Sequence, residues 1–307
     1  MSHLLHFVVW SLPHQKHASM LHLRQTSRCI HGSPATHLMK TAVSGDRMVD
    51  ENVRRHWSEN RPLAAVPAID RAMLEPHAEF VELARGQVLF QPEQDVVITH
   101  FPLTGSMAAL VVVLEDGRTA EAASIGREGA IGGIVSAGNK PALSRAETQI
   151  AGPALRIETA RIEIAKHRSL VVRDLFDRYA DALLAQVLQS VVCNVFHPMQ
   201  QRLARWLLMT QDRIGSNDLP LTQEYLAQML GVHRSTMIRV ARSLQDDGII
   251  RNARGRLTVL DRAKLEKASC ECYGAVARHY ERILRLAEAQ RVKNAKEAGQ
   301  REQKPEK

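Results

Sequence analysis

The sequence predicts an α+β protein in three consecutive parts: a β-rich region, one long helix, and a winged helix-turn-helix. Three observations predict it. Short apolar runs broken by glycine and proline fill residues from about 63 to 160. Apolar residues then recur at three- and four-residue intervals from Leu170 to Phe196. Between Leu221 and Leu244, a capping threonine, a turn glycine and a basic helix follow in that order.

Composition sets the outer limits. At 307 residues, 45% hydrophobic and 24% charged, the chain is neither wholly disordered nor collagen-like, and its length suggests two domains. Forty-one Lys+Arg against 33 Asp+Glu leave a net charge of +8, which favours a polyanionic partner. Only 4% of residues are aromatic, so single-strand binders and RNA-recognition sheets, which stack bases on aromatic platforms, are disfavoured against duplex. No stretch reaches the ~18 consecutive apolar residues of a membrane span. The opening Leu4-Leu5-His6-Phe7-Val8-Val9-Trp10 lacks the basic flank of a signal peptide. A cytoplasmic protein with no membrane partner is expected.

Residues 1–60 read as a disordered extension. Seven of the 14 histidines lie in its first 37 residues, with no period and no accompanying carboxylate. In the β-rich part, Val88 to Phe90, Met107 to Leu114, Thr119 to Ser124 and Thr148 to Ile157 read as strands. Asp116-Gly117 marks a tight hairpin between the second and third. Many short strands with regular turns fit a sandwich, roll or barrel. The long helix carries two apolar rows, Val172, Phe176, Tyr179, Leu183, Val187 and Val191 on one side and Leu184, Leu188, Val191 and Val195 beside it. One row packs on the β-region, and the other is read as a homodimer seam, with burial inside a single chain as the alternative. His197-Pro198 ends this helix, and a short amphipathic one follows through Leu203, Trp206 and Leu207.

The segment from Leu221 carries the function. Thr222 caps a helix with Leu226, Ala227 and Leu230 inward, and Gly231 supplies the left-handed turn. The second helix buries Val232, Met237, Val240, Ala241 and Leu244 and presents His233, Arg234, Ser235, Thr236, Arg239 and Arg242, with no acid among them. Such a helix fits a major groove. Arg234 and Arg239 are candidates for bidentate contact to guanine, with Ser235 and His233 beside them, while Thr222, Gln223, Thr236 and Arg242 suit phosphate contacts. Residues 248–260 form two short strands about an Arg-Gly turn, a wing whose Arg254 and Arg256 meet the DNA backbone or minor groove.

Taken together, this order resembles the Crp/Fnr family of bacterial transcription regulators. The resemblance rests on Gly105-Ser106, Asp116-Gly117-Arg118, Ile125-Gly126-Arg127-Glu128-Gly129, Gln201 to Leu207, Leu221-Thr222-Gln223-Glu224, Met229 to Arg239 and Asp247-Gly248-Ile249-Ile250. It implies a jelly-roll-like β-barrel of the cyclic-nucleotide-binding type over 61–168 and a dimerisation helix over 169–197. A winged helix-turn-helix then covers 198–285, with a charged tail at 286–307. The implied partners are double-stranded promoter DNA carrying inverted repeats, a second copy of the chain, RNA polymerase and a small-molecule effector of unknown identity. Departures narrow the analogy. Gly132-Gly133 lacks the carboxylate that follows glycine in cyclic-nucleotide binders, and Arg145 is followed by Ala146 rather than a hydroxyl residue. Arg145 is kept as an effector contact, but a cyclic nucleotide is not expected. Ser235 stands where many relatives carry glutamate, so the target sequence should differ.

No enzyme is expected: neither G-x-G-x-x-G nor a Walker A is present, and no nucleophile–base constellation emerges. The competing class is a ligand-sensing module whose helix-turn-helix docks protein. No cofactor is expected either. Cys29 alone cannot supply the N-terminal cysteine cluster of the iron–sulfur members, and Cys270-Glu271-Cys272 has neither zinc-ligand spacing nor a second cysteine pair, leaving Cys193 a plain thiol.

Overall fold

The computed structural model describes residues 50–132 and 141–283. Most of the histidine-rich extension, the glycine-containing stretch 133–140 and the charged tail from 284 lie outside the described residues. The expected boundary at residue 60 falls too late. Asp50 caps helix α1 (Glu51–His56) by accepting from Asn52 N at 2.9 Å. Val53 and Trp57 are buried in the first core. Asn60 then caps α2 (Arg61–Ala64), and its amide donates to Pro102 O and Gly129 O, pinning this entry segment to the β-region.

Two antiparallel sheets form the barrel. One has the order β1 (Ala78–Leu83), β7 (Gly152–Glu158), β3 (Ile98–Pro102). The other runs β2 (Val88–Phe90), β6 (Arg145–Ile150), β4 (Met107–Val113), β5 (Thr119–Ile125). The Asp116-Gly117 hairpin joins β4 and β5, with Gly117 at φ +82°, a left-handed position that favours glycine. The run 148–157, expected as one strand, is two strands in different sheets, divided at Ala151. Strands β1 and β3 were not distinguished in the sequence. Four consecutive residues of β3 are buried, which removes the alternation that marks a strand.

After a short α3 (Ala68–Arg71) and α4 (Thr159–Arg168), Ser169 caps α5 (Leu170–Phe196), accepting from Val172 N at 3.2 Å. This is the expected long helix, 27 residues and about 40 Å at ~1.5 Å per residue. Val172, Phe176, Tyr179 and Leu183 pack into the barrel core. The second row stays in solvent, with Leu184 56%, Leu188 59%, Val191 58% and Val195 69% exposed. By length and mean hydropathy (1.3), α5 also meets the composition of a membrane-crossing helix, which the count of consecutive apolar residues did not register.

Helix α6 (Met199–Ile214) is longer than expected and buried on nearly every side from Leu203 to Ile214. It is the centre of the second core, which joins α7 (Gln223–Met229), α8 (Arg234–Asp246), the small sheet β8 (Asp218–Leu219), β10 (Arg256–Val259), β9 (Ile250–Ala253), and α9 (Arg262–Ala268). Met107 and Ile150 of the barrel also enter this core, so the two halves share apolar packing. Residues 272–283 are helical, and Val276, Tyr280 and Ile283 return to the barrel core.

Candidate functional site

Helix α7 begins where expected. Thr222 Oγ1 accepts from Tyr225 N at 3.1 Å, satisfying an N–H that the first helical turn leaves free. The helix ends through Leu230, and Gly231 takes φ +66° while Val232 N donates back to Ala227 O at 2.9 Å. That turn aims α8 away from α7. Met237, Ala241 and Leu244 anchor α8 inward. Its outer face exposes Arg234, Ser235, Arg239 and Arg242, and His233 precedes them, also exposed. Thr236 is half-buried. Among the described residues Arg234, Arg239, Arg242 and Arg254 make no ion pair, leaving their guanidinium groups available to an anion. Arg256 lies 3.6 Å from Asp218 Oδ2, and that exposed pair is weak enough to exchange. The wing turns at Gly255 (φ +74°), with Arg254 and Arg256 on either side of it.

One residue of this face was overlooked. Ile238 is 42% exposed one turn after Arg234, an apolar side chain among the arginines. The i, i+4 spacing from Arg234 to Ile238 to Arg242 was the signal that placed it there.

Arg145 lies on the outer face of its sheet. In β6, Ala146 points into the barrel core, so Arg145 and Glu147 face outward, 2.9 Å apart. Their cross-strand neighbours Val111 and Ala109 pack against Met229 of α7. Arg145 therefore borders the sheet face that carries the helix-turn-helix. Nearby, Gln228 Nε2 donates to Thr119 Oγ1 at 2.9 Å, and Trp206 Nε1 donates to Glu121 at 3.1 Å.

A second junction is buried deeper. Arg213 of α6, 5% exposed, donates to Glu128 Oε1 at 2.6 Å, to Ser124 Oγ at 3.0 Å and to Gln186 Oε1 of α5 at 3.1 Å. Burial disfavours the guanidinium charge, but Glu128 outweighs that and raises its pKa. This explains the glycines of the Gly126 to Gly129 stretch. A Cβ on Gly126 would stand 2.7 Å from Arg213 Cβ, and one on Gly129 would collide with the Tyr179 hydroxyl. The glycines admit α6 and α5 at close range.

The expectation of no cofactor-binding residues is overturned. Cys193, His197, Cys270 and Cys272 converge, with their ligand-capable atoms all within 4.8 Å of one another. The second ligand pair, which the spacing along the sequence did not supply, is Cys193 of α5 and His197 just past its end. Cys193 and His197 lie one helical turn apart, and the fold brings them to residues more than 70 positions later. The three thiols are free, and burial pushes that of Cys193 up to about 12, against the charge of Arg205.

Fold and face together define a two-sheet β-barrel joined to a winged helix-turn-helix. Residues 201–268 match the model of the Crp-like helix-turn-helix domain. No curated protein matches the chain in sequence. Among solved structures, FixK2 from Bradyrhizobium japonicum is similar at 16% identity and TM-score 0.55, over 63% of this chain and 98% of that one. A CRP-family transcriptional regulator from Thermus thermophilus shares 21% identity at TM-score 0.50, over 62% and 96%. The c-di-GMP-responsive global regulator CLP of Xanthomonas campestris shares 16% at TM-score 0.50, over 63% and 98%. At these identities the likeness establishes the fold. The chain thus combines a match to the Crp-like helix-turn-helix domain over residues 201–268 with a fold similar to that of solved Crp/Fnr regulators.

Proposed function

We propose that this protein is a homodimeric, sequence-specific DNA-binding transcription regulator whose barrel half controls its DNA-binding half. The observation that carries the reading is the outer face of α8, where Arg234, Arg239 and Arg242 stand exposed without acidic partners beside the Arg254–Arg256 wing. Arg234 and Arg239 read guanines, with Ser235 and His233 at neighbouring bases. Ile238 meets a thymine methyl. Thr222, Gln223, Thr236, Arg242, Arg254 and Arg256 hold phosphates and set the register of the helix in the groove.

The exposed row Leu184, Leu188, Val191 and Val195 supports dimerisation, because its 4-3-4 spacing is that of a two-helix seam. A two-fold axis along this seam presents the two α8 helices to half-sites about 34 Å apart. The contacts Gln228–Thr119, Trp206–Glu121 and Arg213–Glu128 support control by the barrel, since any shift of its second sheet moves α6 and α7. The effector is a small molecule, and the output is read by RNA polymerase at promoters. The reading makes the protein a cytoplasmic, non-catalytic regulator.

Selection of bound duplexes from a random pool tests this directly. The expected result is an inverted repeat with half-sites one helical turn apart, bound with a steep salt dependence. Failure to enrich any sequence, alongside salt-insensitive capture of a protein partner, would favour the docking module.

A further inference from the structure

The cysteine–histidine cluster has the dimensions of a single tetrahedral metal centre. Cys193 Sγ and Cys270 Sγ are 3.6 Å apart, and Cys272 Sγ and His197 Nδ1 are 3.5 Å apart. A tetrahedral zinc ion with Zn–S of about 2.3 Å and Zn–N of about 2.0–2.1 Å has S···S edges of about 3.8 Å and S···N edges of about 3.6 Å. Two opposite edges of the tetrahedron thus already stand within ~0.2 Å of the required length. The other four close from no more than 4.8 Å. A polynuclear iron–sulfur cluster places its ligands on separate iron atoms and needs them spread further apart.

The surroundings are arranged for the same end. His197 Nε2 lies 3.2 Å from Glu271 Oε2, which leaves Nδ1 as the ligand atom and orients the ring by a carboxylate on the far side. Gln189 Nε2 donates to Cys272 Sγ at 3.0 Å. Three thiolates around a divalent ion leave one net negative charge. On α6, Arg205 is 5% exposed, and its Nε and Nη1 have no hydrogen-bond partner among the described residues. A buried guanidinium with two unpartnered N–H groups is costly, and its charge acts on Cys193. An anionic centre supplies the missing counter-charge.

We propose that Cys193, His197, Cys270 and Cys272 bind one Zn²⁺ per chain in a closed structural site, fastening the segment after α9 to the end of α5 across the His197-Pro198 joint. Three thiolates and one imidazole leave no open coordination position, so the ion acts as a clasp rather than a catalyst. Its place matters because α5 carries the dimer seam and α6, starting at Met199, leads into the DNA-binding half. The clasp limits how far that half swings about the joint.

The test uses the full-length, reduced protein without DNA, so its outcome is independent of the DNA-binding reading. Metal analysis should find one zinc per chain. Removal by a chelator under reducing conditions should lower the melting temperature, and Zn²⁺ alone should restore it. Co²⁺ in place of zinc should give tetrahedral absorption with a thiolate charge-transfer band, reduced by about a third in Cys193→Ser or Cys272→Ser. Should those variants fold poorly, Glu271→Gln leaves every ligand in place and should weaken zinc about 10- to 100-fold at unchanged stoichiometry. Three results would each overturn the site: a folded, reduced protein that takes up no zinc, an octahedral cobalt spectrum without thiolate bands, or the visible absorption of an iron–sulfur cluster.

Discussion

Leu188 in the middle of α5 gives the sharpest test of the dimer. The side chain is 59% exposed in the protomer and lies between Leu184 and Val191 on the solvent row. Burying a leucine completely contributes about 1.5–3 kcal/mol, so covering its exposed share in a seam contributes about 1–2 kcal/mol. Two-fold symmetry makes every seam residue count twice. Leu188→Ala should therefore weaken the dimer by about 2–4 kcal/mol, or about 30- to 900-fold in dissociation constant. Sedimentation equilibrium over a concentration series measures it. Ile164→Ala, which truncates a residue of α4 that is 44% exposed outside the seam, should leave the constant unchanged. A wild-type protein that stays monomeric at tens of micromolar, or equal constants for wild type and Leu188→Ala, would refute the seam.

Other expectations follow from the same structure. Arg239→Ala should lose about 1–3 kcal/mol of specific DNA affinity and relax the preference at one base pair, whereas Arg254→Ala should weaken all sequences alike and flatten the salt slope; competition gel shifts at two salt concentrations separate them. Arg213→Met strands Glu128 in the interior and should cost about 3–5 kcal/mol of stability, while Arg213→Met with Glu128→Gln should recover much of it, as denaturant titrations would record. His100 is held to a pKa of about 4 by burial and by the charge of Arg156. Its ring is neutral in the fold and protonates in the unfolded chain below about 6.5. Stability is therefore complete above that pH and falls as pH drops towards 4, by about 2 kcal/mol at pH 5. Thermal melts from pH 7.5 to 5 should show a smaller decline in His100→Gln than in wild type.

Much of this architecture was legible because its determinants are local. The two rows of α5 repeat at helical spacing, and the buried and exposed sides divide along them as the periodicity implies. Thr222, Gly231 and the basic outer positions of α8 sit within one 24-residue window, where capping, left-handed φ and side-chain direction are properties of neighbours in sequence. The same logic reached the Asp116-Gly117 hairpin and the wing. It did not reach the outward direction of Arg145, because the face of a strand that meets the barrel interior depends on which sheet it joins. It also read 148–157 as one strand, since nothing along the chain marks the passage from one sheet to the other.

By itself, then, the sequence determined the order of parts, the helix α8 with its outward arginines, and the second apolar row of α5. Each follows from short-range periodicity and backbone preference. Only the tertiary structure decided that Gly126 and Gly129 make room for Arg213 and Tyr179, that Arg145 faces the helix-turn-helix, and that Cys193 and His197 meet Cys270 and Cys272. Those meetings join residues from about 50 to 90 positions apart. The packing of α5 and α6 between barrel and winged helix brings them together, and no local interaction along the chain encodes that packing.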